Sequence, residues 1–200
     1  MTPRSRAEVR REEVIVAARG LVAAGGLDAL TYAALEQRLG YTRGVITHHF
    51  RDRDEIVEAV LASAVAEIDA ATTAGLAQRG DAKATLRAVV ETKVRGFLQH
   101  PEAAAVLVSF WTRTDARAMA VHRALFRRWR EEAATLFLER RAPADEEARA
   151  DALGRGTLLV GAVLGIVTQA RFDPEGIDID ATIAAAVACL APAVRVPTTR

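Results

Sequence analysis

The sequence predicts an all-α protein of about nine helices, with a small three-helix head followed by a larger helical body. Apolar residues recur at three- and four-residue intervals over most of the 200-residue chain, the spacing of a helix face. Alanine dominates, and β-branched runs bounded by turn residues are scarce. Half of the residues are hydrophobic and 26% are charged, a balance that allows a packed core and argues against a disordered chain.

The first helix is expected over residues 10–24. Val14, Ala18, Leu21 and Val22 form one stripe there, with Glu12 and Glu13 in the first turn and Gly25-Gly26 as the stop. Thr31 offers an N-cap for a short helix, Tyr32–Leu39, which Gly40 ends. Thr42 caps a second short helix reaching about His48. Asp52, with Glu55 three positions on, makes a capping box for a long helix over 54–74. Ile56, Val57, Val60, Leu61, Ala64, Val65 and Ile68 carry its apolar stripe as far as Gly75 and Gly80. Further helices are expected at 82–99, 102–112, 115–141, 144–172 and 181–190, punctuated by Pro101, Thr114, Pro143, Pro174 and Asp180. The tail 192–200 should fray.

Charge divides unevenly along the chain. Residues 1–53 carry nine Arg against six acidic residues, a net +3, whereas residues 54–200 carry eighteen basic and twenty acidic residues, a net −2. A basic head on a slightly acidic body fits a chain of which only the head meets a polyanion. Cys189 is the single cysteine, so no internal disulfide forms, and its Ala/Val/Leu-rich surroundings predict a buried thiol. The basic N-terminus lacks a signal-peptide apolar core. The most apolar stretch, residues 156–170, is fifteen residues between Arg155 and Arg171. A membrane span needs roughly twenty. A cytoplasmic protein with no membrane partner is expected.

Residues 31–49 have the proportions of a helix-turn-helix, two short helices joined at Gly40-Tyr41. The N-terminal end of the second helix is the part that enters a major groove. Thr42 and the first amides suit phosphate, Arg43 reaches base edges or phosphate, and Gly44 lets DNA approach the backbone. Val45 suits a thymine methyl, while Ile46 should turn into the three-helix core.

The stretch LTYAALEQRLGYTRGVITHHFRDRDEIVEAVL resembles the head of the TetR family of regulators, over roughly residues 10–62. Thr42, Gly44, Ile46, His49 and Phe50 match its pattern, and Arg53 stands where a basic residue is usual. Three positions depart from it. Thr47 replaces a phosphate-contacting Tyr, Tyr41 replaces a Val in the turn, and Glu36 stands where a small Ala packs between the short helices. A carboxylate at 36 must find a partner or point to solvent. The resemblance implies a double-stranded DNA operator as partner, contacted by Thr31, Thr42, Arg43, Gly44, Thr47, His48, His49 and Arg53. Arg43 and His48 are the candidates for base contact. Arg4, Arg6, Arg10 and Arg11 read either as a basic arm near DNA or as a solvated surface.

Beyond residue 80, FWTRTDARAMAVHRALFRRWREEAATLFLER and QARFDPEGIDID are similar to the C-terminal domain of the BetI-like branch. That implies a ligand-sensing body whose last two long helices pair with a second subunit's. The two domains would be 1–53, the helix-turn-helix head, and 54–200, for ligand binding and dimerisation. The residues bear on this independently. The helix through 158–170 is apolar nearly all round and must be covered on every side, by its own chain or by a homodimer partner. Gly161 and Gly165, four apart, permit close approach of another helix, and Gln169 and Val187 are the further candidates for that interface. Large side chains concentrate from Phe97 to Trp129. At helical spacing such residues are ordinarily core, but apolar pockets use the same types. Trp111, His122, Phe126 and Thr168 are the pocket candidates, and they favour a small apolar or aromatic effector.

An enzyme has little support. His48, His49, His100 and His122 show no metal-ligand spacing, no cysteine pair exists, and no nucleophile elbow or phosphate-binding glycine loop occurs. No catalytic residue, metal or cofactor is expected. The implied function is a ligand-responsive transcriptional regulator, by family default a repressor that binds a palindromic operator as a dimer. The alternative is a helical protein-interaction module that has lost its DNA surface.

Overall fold

The computed structural model describes residues 5–73, 82–138 and 145–191, among which lie nine α-helices, one 3-10 turn and no strand. The all-α expectation is met. The helix α1 (Arg6–Gly25) starts a turn earlier than periodicity predicts, because Ser5 is its N-cap. Ser5 Oγ accepts the Glu8 N–H at 3.2 Å, and the Glu8 carboxylate accepts the Ser5 N–H at 2.7 Å. Glu8, not Glu12 or Glu13, therefore occupies the first turn. Gly26, at φ +70°, stops the helix before the 3-10 turn Leu27–Ala29.

Next come α2 (Tyr32–Leu39), α3 (Arg43–His49) and α4 (Arg53–Thr73). Thr31 caps α2 by accepting the Ala34 N–H at 3.1 Å, and Gly40 ends it in the left-handed region at φ +68°. Asp52 caps α4 through the Glu55 N–H at 2.7 Å. The Glu55 carboxylate reaches one residue further back than a capping box requires, accepting the Arg51 N–H at 2.9 Å.

The rest of the chain supplies α5 (Ala82–Gln99), α6 (Pro101–Trp111), α7 (Ala116–Ala134), α8 (Glu146–Phe172) and α9 (Ile179–Leu190). Two expected boundaries are corrected. α7 begins after Asp115, whose carboxylate accepts the Ala118 N–H at 3.0 Å, and gives way to tight turns after Ala134. The remaining expected length, beyond residue 138, lies outside the described residues, as do Arg4, Gly75, Gly80 and the tail 192–200. α9 begins earlier than expected because Asp178, not Asp180, is its cap, accepting the Ala181 N–H at 2.9 Å.

Two compact units result. The described residues up to Asp69, with His100–Ala118, form the first. Its core is built from Val14, Ala18 and Val22 on α1 with Leu30, Leu35, Ile46 and Phe50, all essentially inaccessible. α6 packs along α1 within the same unit. Arg19 of α1 pairs with Glu67 of α4, and His100 Nδ1 lies 2.5 Å from the same carboxylate. Arg113 binds Asp54 at 3.0 Å, and Arg117 binds Glu58 at 2.8 Å.

The second unit comprises Ala70–Gln99 with the described residues from Met119 onward. There α5 packs on α8 and α9, which also pack on each other. Gly156 is where α8 meets α7: a Cβ there would stand 2.5 Å from the Arg130 carbonyl and 2.8 Å from the Ala134 nitrogen. α8 is long and apolar enough to cross a membrane by length and composition alone. Yet Arg149, Asp151 and Arg155 occupy its first turns, and one face is buried through Ala152, Leu159, Val163 and Val167. Cys189 is exposed, correcting the expected buried thiol: α9 turns Ile183, Val187 and Leu190 inward and leaves position 189 on its outer face.

Candidate nucleic-acid interface

The first two turns of α3 are anchored from behind and open in front. Ile46 and Phe50 are fully buried, whereas Thr42, Arg43, Gly44, Thr47 and His48 are exposed. Val45 is half-buried at the edge. A major groove is met by such a short helix held on its apolar side.

The helix start is held differently from the expectation. Thr42 stands at the N-cap with extended backbone, but its hydroxyl makes no capping hydrogen bond. The carboxylate of Glu36, on α2, takes that role and accepts the Arg43 N–H at 2.5 Å. The departure at position 36 thereby has a partner. The guanidinium of Arg43 lies over the Tyr32 ring, 4.6 Å from its centroid.

Thr47 is exposed, yet its hydroxyl donates back into α3, to the carbonyls of Arg43 at 3.0 Å and Gly44 at 3.3 Å. Thr31 uses its oxygen as a cap acceptor and keeps its hydroxyl proton available. Arg53 is half-buried: its Nε donates to the Leu30 carbonyl at 2.7 Å and its Nη2 to that of Leu27. Two of its five donors thus brace the 3-10 turn against the start of α4.

His48 and His49 lie edge to face with ring centroids 5.1 Å apart. Desolvation, aided by the electrostatic influence of the neighbouring His48, Arg10 and Arg11 side chains, lowers the pKa of His49. Among the described residues no group of three His, Cys, Asp or Glu side chains is arranged to hold a metal ion.

Arg6, Arg10 and Arg11 belong to α1 and not to a separate arm. Arg11 lies 4.6 Å from the Phe50 ring centroid, and Arg10 lies 6.0 Å from that of Tyr41. The Tyr41 hydroxyl donates to Glu13, which raises its pKa and ties the turn to α1. Sequence reasoning missed these contacts, and it missed the Glu36 cap. Partners seven to thirty-nine positions apart carry no local pattern.

Residues 14–60 match the family described as bacterial regulatory proteins, tetR family. Over 113 residues the chain is 29% identical to the HTH-type transcriptional regulator BetI of Burkholderia ambifaria (strain MC40-6), 56% of this chain and 58% of that one. The head of the chain is a TetR-family domain. This and the other BetI matches span only about half the length of those relatives. The TetR-family fold itself extends over nearly the whole chain. A TetR transcriptional regulator from Chloroflexus aurantiacus J-10-FL superposes over 96% of this chain and 98% of its own, with a TM-score of 0.76 at 18% identity. A transcriptional regulator from Saccharomonospora viridis, solved in complex with choline, covers 92% and 96% with a TM-score of 0.70 at 19% identity.

Of the pocket candidates, half-buried Trp111 lies in the first unit. His122, Phe126 and Thr168 lie in the second, where His122 is buried and Phe126 packs edge-to-face on Trp129. Of the interface candidates, Gly161 and Gln169 are exposed on α8, and a Cβ at Gly161 or Gly165 would meet no atom of the chain within 4 Å. Val187 is corrected. It is 2% exposed and faces its own unit's core, so its side chain reaches no outer surface.

Proposed function

We propose that this chain is a ligand-responsive transcriptional repressor that binds a palindromic operator as a homodimer and leaves it when a small apolar or aromatic effector binds. Residues 1–53 read DNA, and residues 54–200 carry effector binding and dimerisation. The observation that carries the reading is the exposed start of α3, with Thr42, Arg43 and Gly44 open to solvent while Ile46 and Phe50 anchor it from behind. Thr31, Thr42, Gly44, Thr47, His48 and His49 position the backbone or flank the base contact of Arg43, and Arg53 acts chiefly by holding the start of α4.

The outer face of α8 supports a dimer. Leu158 is 65% exposed and Phe172 is 72% exposed, on a helix whose Gly161 and Gly165 face open space. Two-fold symmetry then presents two copies of α3 at roughly 34–36 Å, one DNA turn. The chain passes between its two units three times, within α4, between α5 and α6, and within α7. An effector that binds better to a state with α4 displaced shifts the dimer away from operator spacing, to the extent of its differential affinity. His122, Phe126 and Thr168, all in the second unit, are the proposed effector contacts, and choline, held by a structural neighbour, belongs in the first screen. A cytoplasmic location follows from this role.

Fluorescence anisotropy against a duplex enriched from a random-sequence pool tests the reading. Binding that weakens with salt, and that loses about tenfold or more in affinity in Arg43→Ala, is the expected result. A chain that enriches no duplex would refute it.

A further inference from the structure

The two short helices are joined by more than their turn. The Glu36 carboxylate holds the backbone of Arg43, and Tyr32, one turn earlier on α2, lies against the guanidinium of the same residue. Arg43 is thus gripped at both ends by α2. We propose that Glu36 and Tyr32 form a clamp that fixes the direction of Arg43 before DNA arrives, making them positioning residues for base readout. This rests on the DNA-binding reading above.

The two uses of a guanidinium can coexist. A ring engages its flat face, whereas hydrogen bonds leave from its edge, in the plane. That edge is the fork that meets the two acceptors of a guanine in the major groove. A single ring contact leaves donors over, because a guanidinium carries five N–H groups. The Arg43 side chain is itself exposed, with its guanidinium over the Tyr32 ring. An unstacked arginine would have to lose its rotamer freedom on binding, while a stacked one has already lost part of it. Glu36 completes the arrangement by fixing the first peptide of α3, from which the side chain departs. Base preference at the position read by Arg43 is then set partly by two α2 residues that need touch no base.

The test uses the full-length chain and the duplex it enriches from a random pool, with competitors in which single guanines are replaced. Tyr32→Ala should lower the preference for the selected duplex over the critical competitor about tenfold, leaving binding to a random duplex unaltered. Tyr32→Phe keeps the ring and should keep the preference. Glu36→Gln keeps an acceptor and should keep it too, where Glu36→Ala loses it. Tyr32→Ala combined with Arg43→Ala should lose no more than Arg43→Ala alone. Should Tyr32→Ala melt early, Tyr32→Leu fills the site without an aromatic face and should show the same loss. An unchanged preference in a folded variant without the ring, or losses that add in the double variant, would overturn the clamp. Failure of the wild type to enrich any duplex is a different result, and it would overturn the DNA-binding reading before any variant is compared.

Discussion

Single side chains in the first unit show how position decides role. Thr42 has the residue type of an N-cap and the backbone of one, yet the cap is made by Glu36 from a neighbouring helix. Glu67 is the second such case. Its hydrogen bond from Arg19, followed by that with His100, holds its carboxyl below the usual range despite the opposing effect of burial. A carboxylate with a depressed folded pKa stabilises the protein above its unfolded value and loses that contribution as pH falls through the folded value. With Glu67 28% exposed and Arg19 17% exposed, the pair is sheltered enough to matter. Glu67→Gln should therefore cost about 1 kcal/mol near pH 7. The gap between wild type and variant should hold to about pH 5 and shrink below about pH 4.5. Urea denaturation across that range measures it, and a gap that widens on acidification would contradict the assignment.

At the scale of elements, α8 carries glycines with opposite requirements. Gly156 sits where its own chain leaves no room, with the backbone of Arg130 and Ala134 against it. Gly161 and Gly165 sit where their own chain leaves the space empty. Gly156→Ala should destabilise the fold by about 1–3 kcal/mol, since the neighbouring atoms are backbone and yield little. Gly161→Ala should leave the stability of the monomeric chain unchanged or raise it by up to about 1 kcal/mol through helix propensity. Thermal and urea melts of the two variants, side by side, separate these roles. Equal losses would mean that the close approach is not confined to Gly156. The sequence marks all three as glycines in an apolar helix, and nothing local distinguishes them.

For the whole molecule, the outer face of α8 is an apolar surface that its own chain leaves uncovered. Leu153, Leu158 and Phe172 are exposed there. An uncovered apolar face of that kind marks an interaction surface. Leu158→Glu is expected to give a folded monomer by sedimentation velocity, with unaltered helicity. It should also weaken binding to a duplex with two half-sites by about 100-fold, because the second half-site is no longer engaged together with the first. A Leu158→Glu chain that stays dimeric would move the interface elsewhere. The basic head bears on the same scale: its net +3 predicts binding that weakens with salt, whatever the sequence bound.

The sequence by itself determined the helical class, the order of the helices, the caps at Thr31, Gly40 and Asp52, and the family of the head. These depend on periodicity, on cap residues beside the helices they start, and on a motif contained within about fifty contiguous residues. It also placed Ile46 inward and Arg43 outward, because the position of a side chain around a short helix follows from spacing alone. Only the tertiary structure decided which groups meet across distance. It showed Glu36 capping α3, Arg53 bracing a turn, Tyr32 under Arg43, α6 lying along α1, and Cys189 outside rather than in. Those outcomes depend on where helices distant in sequence come to pack, and a one-dimensional pattern holds no record of the partner that packing brings.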